Sequence, residues 1–101
     1  MFTEIWKEAR EAASTVKSEP EVFKLCGFAW ITISGRDKFA KWAKEHAGAH
    51  KNYGCPGYTI WYSRVYNTRT QSMDEHYEAC SKAVAVLRKY GIEARAECRL
   101  D

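Results

Sequence analysis

The chain has no hydrophobic run long enough to cross a bilayer as a helix, so a helical membrane protein is excluded. Its six glycines are scattered and form no phosphate-cradling loop, which removes nucleotide binding of the P-loop or dinucleotide type. There is no Cys-x2-Cys pair, the usual core of a structural zinc site. Carboxylates are never densely clustered, and proline occurs only as Pro20 and Pro56. No strong excess of one charge exists either: the net charge is +3. Residues 1–10 mix charges with apolar side chains and do not read as a secretory leader. The four cysteines, Cys26, Cys55, Cys80 and Cys98, are therefore expected as reduced thiols in a cytoplasm. These absences point away from an enzyme and from any cofactor.

What remains suits one α+β domain over all 101 residues. Residues 1–20 read as an N-terminal helix and linker, and 21–101 as the α+β core. Phe2, Ile5, Trp6, Ala9, Ala13 and Val16 keep the three–four spacing of an amphipathic helix over 2–17. Residues 26–33 read as a strand that ends at Ser34-Gly35. Ser34 is the expected N-cap of a helix running to about Ala47, where Gly48 stops it. His50–Tyr53 could form a short edge strand before a Gly54-Cys-Pro-Gly57 turn and a strand over 58–66. Ser72-Met-Asp-Glu75 is a capping box opening a helix over about 73–90, with Met73, Tyr77, Cys80, Val84 and Leu87 as its expected buried stripe. From Ile92 to Leu100 apolar and charged residues alternate, as in a strand buried on one side.

This order predicts a ferredoxin-like βαββαβ core, or its three-stranded variant. Two helices cover one face of an antiparallel sheet, and an amphipathic N-terminal helix is extra. Strand parity puts Phe28, Trp30 and Thr32 on the uncovered face, beside Glu93, Arg95, Glu97 and Arg99. Tyr58, Tyr62 or Trp61 would supply a third aromatic. The N-terminal helix has three homes open to it: this face, a homodimer contact, or a partner. Residues 36–69 hold seven Lys/Arg against two Asp/Glu, so a basic, aromatic-rich middle third makes nucleic acid an alternative partner. Gly27-Phe-Ala-Trp-Ile-Thr-Ile33 resembles one segment of the RNA-recognition motif, but that family carries it on the third strand rather than the first.

His46, His50 and Cys55 are weak candidates for metal ligation, lacking a fourth ligand. His76 and Cys80, four apart on a helix, could form an imidazole–thiol pair, but the buried stripe would raise the thiol's pKa and leave it inert.

From Cys26 onward the chain resembles a family of small, largely uncharacterised bacteriophage proteins. The resemblance is carried by Cys26-Gly-Phe-Ala-Trp30, Phe39-Ala-Lys-Trp42, Gln71-Ser-Met73, Val86-Leu87, Gly91-Ile92 with Ala94, and Arg99-Leu100-Asp101. It implies a phage-encoded accessory protein acting in the host cytoplasm by binding a host or defence-system protein and modulating or inhibiting it. It brings no catalytic residues. Interface energy concentrates in Trp, Tyr and Arg, so the expected partner-binding residues are Trp6, Trp30, Trp61, Tyr62, Arg64, Arg95 and Arg99.

Overall fold

The computed structural model describes residues 1–16, 27–51, 57–66 and 73–100. Along the chain these form α1 (Phe2–Ala13), β1 (Gly27–Ile33), α2 (Lys38–His46), β2 (His50–Lys51), β3 (Tyr58–Trp61), α3 (Tyr62–Val65), α4 (Met73–Lys89) and β4 (Ala94–Leu100). The four strands make one antiparallel sheet in the order β2-β3-β1-β4. The fold is thus α+β, with helices against one face of the sheet.

The helix layer begins with α1. Its stripe Ile5, Trp6, Ala9 and Ala13 is buried, and it lies along α4. Ala9 and Ala13 on α1, and Ala79 and Ala83 on α4, are fully buried. Side chains this small let two helix axes approach closely. Around that contact, Lys82 Nζ donates to Thr15 Oγ1 at 2.9 Å, and Tyr90 Oη and Lys89 Nζ both donate to the Glu8 carboxylate. At its start α1 reaches α2: the Phe2 and Trp6 rings lie 5.4 and 6.2 Å from Phe39. A homodimer through this helix is therefore not what the structure offers, because the stripe is already used within the chain. Trp6 is corrected for the same reason. It is only 7% exposed and belongs to the core rather than to a docking surface.

Three local expectations are corrected. Asp37, not Ser34, caps α2, its Oδ1 accepting from Phe39 N at 2.9 Å. The strand expected over 58–66 stops at Trp61 and turns into one helical turn, α3. The reason is packing: Tyr62, Val65 and Tyr66 stand at i, i+3 and i+4, and this spacing turns all three toward α4 and the core. On α4 the buried stripe is Glu75, His76, Ala79, Cys80, Ala83, Val84 and Leu87. Tyr77, expected inside, is 41% exposed. Having to face both β1 and α1 widens the buried arc and moves its centre off Tyr77.

Ala29, Ile31 and Ile33 of β1 and Ile60 of β3 face this layer and are fully buried. Gly27 opens β1 where β4 and α4 crowd in. A Cβ there would lie 2.5 Å from the Arg99 carbonyl oxygen and 2.9 Å from Met73 Cβ, so only glycine fits. On β4 burial fades from Ala94 towards Cys98 and Leu100, both exposed. The uniformly half-buried strand expected from its alternation is therefore realised only in its first half. Cys26 and Ser72, with Tyr53 and the Gly54–Pro56 part of the turn signal, lie outside the described residues.

Phe39 is fully buried and touches Phe2, Trp6 and Trp42. Phe39→Ala is expected to lower unfolding free energy by about 3–5 kcal/mol, measured by urea denaturation. A loss below 1 kcal/mol would contradict the α1–α2 contact.

Candidate binding surface

Residues paired directly across an antiparallel sheet project from the same face. The registers therefore lay out the uncovered face in rows. Phe28 stands opposite Arg99; Trp61, Trp30 and Glu97 form the next row; His50, Thr59, Thr32 and Arg95 form the third. The contacts agree with this layout. Trp30 meets Trp61 edge to face with centroids 5.5 Å apart, and Phe28 lies 5.9 Å from Trp61. The Arg99 guanidinium sits over the Phe28 ring at 5.9 Å. Trp61 is the third aromatic, and it is 39% exposed. Because α1 lies in the helix layer, it does not cover these rings.

Glu97 holds the arrangement. Its Oε2 accepts from Trp30 Nε1 at 3.1 Å and also from Thr32 Oγ1, while its Oε1 lies 3.4 Å from Arg95 Nε. The indole is thereby fixed at its polar edge and stays half-buried beside Trp61. The Thr32 hydroxyl first, then the indole N–H and the Arg95 charge, hold the Glu97 carboxyl below its usual range against the opposing effect of burial. Reading the sequence placed Glu97 on this face but missed its role. Parity gave no signal for that role, because Trp30, Thr32 and Glu97 fall together only once the β1–β4 register is known.

Of the seven residues expected to bind a partner, Trp30, Trp61, Arg95 and Arg99 come together here. Trp6, Tyr62 and Arg64 do not. Tyr62 stacks on His76, with centroids 3.7 Å apart. Arg64 extends over the turn at Gly48, where a Cβ would lie 2.8 Å from its Nε. His50, considered earlier as a metal ligand, stands on the edge of the open face. His46 lies on α2 with its ring 5.0 Å from Trp42. Cys55 is outside the described residues, among which no three His, Cys, Asp or Glu side chains gather to hold a metal.

The basic middle third also divides. Lys38, Lys41 and Lys44 are exposed on α2, in the helix layer. The open face itself carries Arg95 and Arg99 against Glu93 and Glu97, with His50 at its edge, so it has no marked excess of positive charge. On the helix side, a cleft of about 520 Å³ lies between α1, α2 and α3, but its charged walls, Lys7, Arg10 and Glu11, are solvated side chains.

His76 is fully buried, with its Nδ1 2.8 Å from Tyr66 Oη. Burial pulls its pKa down, and neighbouring Glu75 opposes this. Cys80 is buried and its thiol is pushed up to about 12, so it stays protonated at neutral pH. The spacing of these two residues therefore produces a packing cluster and no activated nucleophile.

Comparison with known proteins finds no matching family model, no matching curated protein and no matching solved structure.

Two pH effects follow. A depressed Glu97 carboxyl stabilises the fold above its unfolded pKa, and this is lost as pH falls through the folded value. Tryptophan emission should change over that acid limb, and Glu97→Gln should show the altered emission already at pH 7. An unchanged spectrum in the variant would contradict the Glu97–Trp30 contact. His76 acts higher. Below its ordinary pKa of 6.5 the unfolded chain takes up a proton that the folded chain resists. Stability should therefore fall as pH drops below about 6.5, and His76→Gln should flatten that slope in urea titrations. An equal slope in both proteins would contradict it.

Proposed function

We propose that this chain is a non-enzymatic, phage-type accessory protein. It docks on a host or defence protein complex in the cytoplasm and modulates or inhibits it. The observation that carries this reading is the aromatic cluster of exposed Trp61 with half-buried Trp30 and Phe28, flanked by Arg95 and Arg99 and held by Glu97. Trp and Arg dominate binding energy where they can be desolvated. A ring fixed in advance also loses little entropy on docking. The partner surface that fits is an apolar pocket bordered by carboxylates, which would meet Arg95 and Arg99.

The fold belongs to the same reading. From the far edge, the strand order is β4-β1-β3-β2, all antiparallel, with α2 between β1 and β2 and α4 between β3 and β4. This supports a ferredoxin-like core with α1 added on the helix side.

Binding of single-stranded nucleic acid is the second reading, favoured by Arg99 over Phe28 beside exposed rings on a bare sheet. It is weakened by the siting of three lysines of the basic segment on α2, away from those rings.

The test is affinity capture from host lysate after nuclease treatment, followed by calorimetry with the purified partner. Trp61→Ala is expected to weaken binding by about 2 kcal/mol, roughly 30-fold. Capture of nucleic acid alone would reverse the two readings. Undiminished affinity of a folded Trp61→Ala protein would remove the face from the interaction.

A further inference from the structure

The sheet has two edges of very different kind. β2 is two residues long, too short to recruit another strand. β4 is seven residues long, and among the described residues only β1 pairs with it. The Ser34 N–H donates to the Glu93 carbonyl at 3.0 Å. That bond sets the alternation of the ladder: odd positions of β4 direct their backbone groups at β1, and Ala94, Ala96, Cys98 and Leu100 direct theirs outward. β4 carries neither lysine nor proline, the usual guards of an edge. Arg88 Nε, which donates to the Ala94 carbonyl at 2.8 Å, covers one outward group and leaves that oxygen a second lone pair.

The charges on this edge read Glu93, Arg95, Glu97, Arg99, all on the open-face side. An antiparallel copy centred on Ala96 would place Glu93 opposite the copy's Arg99 and Arg95 opposite its Glu97, each twice by symmetry. Four attractive cross-strand pairs result. Ala96 would meet Ala96, and Ala94 would meet Cys98, on the other side. The neighbouring register centred on Glu97 would set glutamate against glutamate and arginine against arginine, so it is repelled. Hydrogen bonding alone also permits registers centred on Ala94 or Cys98, but each of these sets only two opposite-charge pairs among Glu93, Arg95, Glu97 and Arg99 against four, so the charge pattern favours the pairing about Ala96.

We propose that the outer edge of β4 is a self-association surface, on which a second copy of this chain pairs antiparallel about Ala96 and continues the sheet. The dimer carries two aromatic clusters on one face of the extended sheet. It does not depend on what those clusters bind.

Sedimentation of the full chain over a range of concentrations tests this. The wild type is expected to dimerise, more weakly as salt rises. Arg99→Glu is expected to weaken the dimer by about tenfold or more, and adding Glu93→Arg to it is expected to restore association. Ala96→Pro removes only an outward-directed N–H and leaves the β1 ladder intact, so it should yield a folded monomer. Trp61→Ala should dimerise like the wild type, which separates this edge from the aromatic face. A wild type that stays monomeric at every concentration overturns the proposal. So does Arg99→Glu association equal to wild type, or a double variant no better than Arg99→Glu. A dimer cross-linked Cys98 to Cys98 on mild oxidation would also overturn it, because that bond belongs to a register centred on Cys98.

Discussion

The contact between α1 and the rest of the helix layer decides what this molecule shows to its surroundings. An amphipathic helix with Ile5, Trp6, Ala9 and Ala13 on one stripe must bury that stripe. Two apolar surfaces were open to it: the far side of the sheet, or the helix layer of α4 and the aromatic side chains of α2. The alanines of α4 and the Phe39 ring take it. No described helix covers the sheet's second face, where Trp61 is exposed and Trp30 and Phe28 are half-buried.

That exposed face is ordered by a single carboxylate. Glu97 receives the indole N–H of Trp30 and the hydroxyl of Thr32 and faces Arg95, so this carboxylate is engaged at both oxygens. What remains outward is aromatic surface with arginines at its border. The lysines that make the middle of the chain basic lie on α2 instead. The lysines of the basic segment and the aromatic rings of the sheet therefore lie in different layers.

Much of this was legible in the chain. Strand parity alone placed Phe28, Trp30, Thr32, Glu93, Arg95, Glu97 and Arg99 on one face, because a period of two leaves little freedom once Ala29, Ile31 and Ile33 are assigned to the core. What parity could not supply was tertiary. The destination of α1 depends on side-chain volumes on α4 that meet it only in the folded chain. The bend at Trp61 was hidden because Tyr58 to Tyr66 has the β-branched and aromatic composition of a strand, while Tyr62, Val65 and Tyr66 carry helical spacing over a stretch too short to stand out. Arg64 and Tyr62 were misplaced by the same bend. Trp6 was misjudged because an apolar stripe on an isolated helix looks alike whether its partner lies inside or outside the chain.

The central claim is that the sheet face is open and the helix stripe is closed. Rapid covalent footprinting of the native full-length chain, read residue by residue by mass spectrometry, tests it directly. The account predicts that Trp61, and to a lesser degree Phe28 and Trp30, are modified well ahead of Trp6. Protection of Trp61 and Trp30 together with fast modification of Trp6 or Ile5 would contradict it, and would leave the proposed binding surface without a basis.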